Sequence, residues 1–157
     1  VSRIIDILRA IFISPEFAIL LIIYAVMQYK PEWLTLVGTQ FQTNNEIWKF
    51  LPTLPLLFTS LVFKYGKSIR VPLEKNKRLY EWNDYHRITD RVFVGIFISV
   101  FCSIGAISIW FLTENTSAIN LGAIFIATVG ISGFSAFTMY LASISIREVL
   151  DVTDDQL

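Results

Sequence analysis

The side chains best placed to do chemistry in this chain lie in two places. Between Lys64 and Arg91, eight Lys and Arg residues interleave with Tyr80, Trp82 and Tyr85, the mixture of cations and aromatic rings that dominates protein-binding hot spots. Arg78, Tyr80, Trp82, Tyr85 and Arg87 are therefore the candidate docking residues for a partner protein. Glu74, Glu81, Asp84 and Asp90 interrupt the positive run, which makes it a poor phosphate track, and no direct nucleic-acid contact is expected. The second place is Thr128, Ser132 and Ser135, hydroxyls at helical spacing inside an apolar run. Such a stripe serves helix packing, or in an oligomer lines a narrow hydrated path.

Other chemistry is sparse. The sequence has no Gly-rich phosphate loop, no metal-binding His pair and no Gly-x-Ser-x-Gly elbow. A single His, His86, and a single Cys, Cys102, are too few for a structural zinc site. The expectation is a protein that is not an enzyme and uses no cofactor or metal. Ionisable residues inside a span mark ion and proton paths, and none lies in the middle of an apolar run here. Glu16, at the end of one, is expected to be held by the helix terminus and interfacial water.

The elements that must position these residues follow from hydropathy. Of the 157 residues, 54% are hydrophobic and 17% charged, with 13 basic and 13 acidic side chains, and mean hydropathy is +0.58. That composition excludes an ordinary water-soluble domain. Four apolar runs, at about 15–29, 48–65, 92–112 and 118–146, read as transmembrane helices. The first two are short for a bilayer and the fourth is long. The runs lack the alternation of a transmembrane β-barrel. The whole chain, 1–157, thus reads as a single all-α, polytopic four-helix transmembrane domain, with an amphipathic interfacial helix over 1–13. No small-residue cleavage site follows the first run, which argues against a cleavable signal peptide. Eleven Lys and Arg fall on the side of the ends and the loop from Lys64 to Arg91, against Lys30 and Lys49 on the other. The positive-inside rule then places both termini and that loop in the cytoplasm. Tyr29, Trp33, Trp48 and Trp110 mark the outer interface, Tyr65 and Tyr140 the inner one.

Between the spans, residues 30–49 read as an outer loop with one short helix near Trp33, and Thr113 to Ser117 as a tight turn closing an antiparallel hairpin. Pro52 and Pro55 predict a distorted or kinked start to the second span. Gly95, Ser99, Ser103 and Ala106 form a small-residue stripe on the third, and Gly122, Ala127, Gly130 and Gly133 place small residues on more than one face of the fourth. Small faces are how helices approach closely in lipid. One face suits the hairpin, and the second suits another copy of the chain.

This arrangement, four spans plus the loop from Lys64 to Arg91, resembles the small four-span membrane subunits of bacterial phage-defence systems, particularly the membrane component of the Kiwa type. The resemblance implies a homo-oligomeric scaffold or sensor in the bacterial inner membrane that recruits a cytoplasmic partner for antiviral defence. The competing expectations are a small oligomeric ion channel or pore-forming effector, and an immunity-type inhibitor, since immunity proteins against pore-forming colicins are similar in size and span number.

Overall fold

The computed structural model describes residues 15–43, 46–70 and 85–154, and apart from short connections these are helical, with no strand among them. The expected interfacial helix over 1–13 and most of the 66–91 loop lie outside the described residues. Six α-helices follow in order: α1 (Pro15–Tyr29), α2 (Pro31–Gln42), α3 (Glu46–Phe50), α4 (Leu54–Arg70), α5 (Tyr85–Leu112) and α6 (Ala118–Asp154). A 3-10 turn, Leu51–Thr53, joins α3 to α4. Three stretches are long and apolar enough to cross a membrane: Glu46–Arg70, Tyr85–Leu112 and Ala118–Ile146. Glu16–Tyr29 is a shorter apolar helix.

Local chemistry accounts for the boundaries. Pro31 opens α2 where its missing N–H costs nothing, with Glu32 beside the positive helix terminus. Pro52 and Pro55 do distort the start of the α4 run, and they do it as a buried 3-10 turn rather than a kink in mid-helix. The Thr53 hydroxyl donates to the Phe50 carbonyl at 2.6 Å, giving that carbonyl a partner where the Leu54 amide turns to the Leu51 carbonyl instead. At the tight turn the Thr113 amide donates to the Ile109 carbonyl and the Leu121 amide to the Ser117 carbonyl, so α5 and α6 form the expected antiparallel hairpin. The α6 helix runs on past Ile146 to Asp154.

The α6 helix is the hub of the bundle. Along its length Gly122 meets the backbone of α2, Gly130 the Ile19 side chain of α1, and Gly133 the Phe58 ring of α4. Met139 lies on Gly95 of α5, and Ser143 shares a 3.3 Å hydrogen bond with Ser68 of α4. Gly122, Gly130 and Gly133 thus each face a helix of this chain, while Ala127 lines an open groove. The main apolar core, Val62, Ile69, Val92, Ala136 and Met139, lies where α4 ends and α5 begins. That end, which carries Lys67, Arg70, Arg87 and Arg91, is called the basic end below.

The stretch read as an outer loop with one short helix near Trp33 does hold a helix there, the 12-residue α2, which fills more of the stretch than expected. It runs antiparallel to the start of α6, and Leu34 and Gly38 are buried against it. A Cβ on Gly38 would run into the Ala118 carbonyl, and one on Gly122 into the Leu34 carbonyl. Two backbones therefore touch where a glycine in a polar stretch looked like a loop residue. At the same end Trp48 is half-buried, 5.2 Å edge-on from Phe41, while Trp33 stays 73% exposed. Leu21, Phe63, Phe97, Phe101, Phe137 and Leu141 are all exposed, an apolar coat spread over four helices that lipid would cover.

These contacts separate two glycines of one helix. Gly122→Ala forces backbone apart and should cost about 1–3 kcal/mol, as overpacking does. Gly130→Ala meets only the Ile19 side chain at 3.5 Å, and should be neutral or gain up to about 1 kcal/mol of helix propensity. Thermal unfolding in detergent checks the order, and equal Tm values for the two variants would show that α2 is not held by backbone contact.

Candidate functional site

A carboxylate placed among apolar helices must find a cation and hydrogen-bond donors, because leaving it unpaired costs several kcal/mol. Glu16 sits in the first turn of α1, where the helix N-terminus favours a negative charge, and only 4% of it is exposed. Arg91 Nη2 donates to its Oε2 at 3.0 Å and to its Oε1 at 3.3 Å. Ser135 Oγ donates to Oε1 at 3.0 Å. One carboxylate thereby ties α1, α5 and α6 together. The expectation of interfacial water around Glu16 gives way to this cluster: Arg91 stands immediately before the apolar run of α5, and its long side chain reaches the carboxylate. Ser135 is fully buried; its hydroxyl faces a carboxylate and has no opening to a substrate. The arrangement is a clamp between three helices.

A second polar contact lies between α4 and α5. Thr59 Oγ1 donates to the Ser99 carbonyl at 2.9 Å and lies 2.8 Å from Ser103 Oγ. The small stripe Gly95, Ser99, Ser103 and Ala106 is buried throughout, and here it is shared between α4 and α6. Thr59 was not singled out from the sequence.

The remaining candidates fall in different places. Thr128, Ser132 and Ser135 are all buried within the one chain. Thr128 donates to the Phe125 carbonyl and Ser132 to the Thr128 carbonyl, so only Ser135 spends its hydroxyl on another helix. Of the docking residues, Arg78, Tyr80 and Trp82 lie outside the described residues. Tyr85 is half-buried, and its hydroxyl donates to the Arg70 carbonyl at 2.7 Å, tying the end of α4 to the start of α5. Arg87 and His86 are exposed. Ala127 and Cys102 line an apolar groove between α1, α5 and α6. Among the described residues no three His, Cys, Asp or Glu side chains come together as a metal site would need.

The sequence did hold a signal for the clamp. Glu16 and Arg91 each stand at the head of an apolar run, and the charge count puts both heads on the same side, where opposite charges are best paired. Nothing local pointed to Ser135, 119 positions from Glu16. No family model matches the chain, and no curated protein or solved structure matches it significantly.

Removing one member of the clamp leaves the other charged and poorly hydrated. Arg91 keeps about a third of its side chain exposed, so Glu16→Gln or Arg91→Met should each cost about 3 kcal/mol, the low end for breaking a buried pair. The double variant should lose less than the sum of the two. Ser135→Ala should cost about 1–3 kcal/mol. A double-mutant cycle on unfolding in mixed micelles reads all of these, and additive losses for Glu16 and Arg91 would mean that the contact carries no coupling.

Proposed function

We propose that the chain is a non-enzymatic membrane scaffold or sensor subunit that docks a cytoplasmic protein at its basic end. The observation that carries this reading is where the bundle is best packed. The apolar core lies at the basic end, with Ile88 and Ile146 packed against it beyond the main apolar runs. The Tyr85 hydroxyl closes the connection between α4 and α5 at the same place. A firm base thus underlies exposed His86, Arg87 and Glu148 and the aromatic-basic segment that carries Arg78, Tyr80 and Trp82. Rigid support beneath a few aromatic and Arg side chains is what a docking surface needs.

In the proposed topology the chain crosses the bacterial inner membrane four times, with both termini and the 66–91 loop in the cytoplasm. The count of basic residues supports the orientation. The course of α1 and α2 supports a fourth crossing. Glu16 meets Ser135 at one end, and Gly38 meets Ala118 at the other. The two helices together accompany α6 for about 26 Å at 1.5 Å per residue, against a hydrocarbon core of about 30 Å. The first span is then α1 plus α2, broken at Lys30 and Pro31, rather than 15–29 alone. Assembly into a homo-oligomer and a role in antiviral defence belong to the same proposal, and they rest on the resemblance in arrangement. A channel would need Thr128, Ser132 and Ser135 along an open path, and these are buried inside the protomer.

The test is native mass spectrometry on tagged protein extracted gently from its own membrane. The expected spectrum is a homo-oligomer with a soluble protein retained. Trp82→Ala combined with Arg87→Ala should abolish that retention and leave membrane insertion intact. A bare monomer, or a partner that survives the double substitution, would overturn the reading.

A further inference from the structure

At the end of the bundle opposite the basic one, residues of α2, α3 and α5 enclose a pocket of about 650 Å³. Phe41, Phe50, Ile109 and Trp110 form its walls, and Lys49, Thr53 and Thr113 are its polar lining. The Trp110 indole donates to the Lys49 carbonyl at 2.8 Å, which joins α3 to α5 and holds the ring beside the lysine. Phe41 is held edge-on, 4.9 Å from Phe125 of α6. Both hydroxyls have spent their protons, since Thr53 donates to the Phe50 carbonyl and Thr113 to the Trp110 carbonyl at 3.0 Å. Their oxygens keep lone pairs, so toward a ligand they accept and do not donate. Lys49 is exposed, and among the described residues its ammonium has no ion-pair partner. Two exposed carboxylates flank this lining in sequence, Glu46 one turn before Lys49 and Glu114 next to Thr113.

We propose that the pocket binds the headgroup of one phosphatidylethanolamine, with the phosphate on Lys49 and the ammonium among the threonine oxygens and the aromatic rings. The depth is that of a headgroup, because the candidate span Glu46–Arg70 begins here and Tyr85–Leu112 ends here. Charge complementarity selects the zwitterion. Lys49 supplies one cation for one phosphate, and Glu46 and Glu114 oppose any further negative charge. The same carboxylates favour a positive group beside the phosphate. A primary ammonium brings three N–H donors to a lining whose hydroxyls only accept, and hydrogen bonds from an ion are about twice as strong as neutral ones. The trimethylammonium of choline keeps the attraction to the Trp110 and Phe50 faces but donates nothing. A glycerol headgroup carries no positive charge at all. The pocket lies at the other end of the molecule from the docking surface proposed above, and neither proposal requires the other.

Purified protein in detergent, titrated with phosphatidylethanolamine, phosphatidylglycerol or phosphatidylcholine of the same chains, gives the test by native mass spectrometry. One phosphatidylethanolamine is expected to be retained at least about fivefold more strongly than either of the others. Lys49→Gln removes the partner of the phosphate that all three lipids carry, and should weaken each by about fivefold. Thr113→Val with Glu114→Gln should bring phosphatidylethanolamine to within about twofold of phosphatidylcholine and leave phosphatidylglycerol no weaker. Thr113→Ser keeps the oxygen and should keep the preference. Circular dichroism confirms that helix content is retained, and where Thr113→Val loses it, Glu114→Gln alone is read, with an expected loss of preference of about twofold. Excess soluble phosphoethanolamine, which lacks acyl chains, should not displace the lipid. Equal retention of the three lipids, phosphatidylglycerol held best, binding indifferent to Lys49→Gln, a preference that survives the Thr113 and Glu114 substitutions, or displacement by phosphoethanolamine would each overturn the proposal.

Discussion

Glu16 is the constraint on which the arrangement of helices turns. A carboxylate kept from water needs its charge answered nearby, and the cation and hydroxyl that answer it come from two other helices. Arg91 lies 75 residues away in sequence and Ser135 119. With those contacts made, the start of α1 has one place on the bundle, one turn from the apolar residues it shares with α5 and α6. A buried ion pair contributes little net stability over an apolar replacement, because desolvation offsets most of the attraction. Its consequence here is register: a hydrophobic α1 could slide along α6 at small cost, and a paired one cannot.

Packing supplies the affinity that the ion pair does not. Helices in lipid gain nothing from hiding apolar surface, so they associate through close van der Waals contact and short polar bonds. The α6 helix offers small residues on several sides and packs against α1, α2, α4 and α5. At one end Gly38 and Gly122 let α2 reach backbone contact. At the other the core of Val62, Ile69, Val92, Ala136 and Met139 fills the space between α4, α5 and α6. Thr59 adds a hydroxyl bridge to α5 midway. The two ends thus differ in kind, one held by aromatic edges and backbone contact, the other by a dense aliphatic core under charged side chains.

That asymmetry bears on what the protein does. The basic end joins the apolar core of the bundle to exposed Arg87 and His86 and to the start of a segment rich in Arg and aromatic residues.

The sequence by itself determined that this is a helical membrane protein, where its long apolar helices run, that α5 and α6 form a hairpin, and that Pro52 and Pro55 distort the start of a span. Hydropathy, capping and proline geometry are local properties, additive along the chain, and they can be read without knowing any neighbour. The tertiary structure alone decided that Gly38 belongs to a packed helix and not a loop, that Gly122 of α6 admits the α2 backbone, and that Ser135 serves Glu16 while Ser132 serves its own helix. A glycine has the same composition whether it frees a turn or admits a backbone, and a serine has the same hydroxyl whether it bonds inward or across. What faces each of them is set by distant residues, and only the folded chain brings those residues within reach.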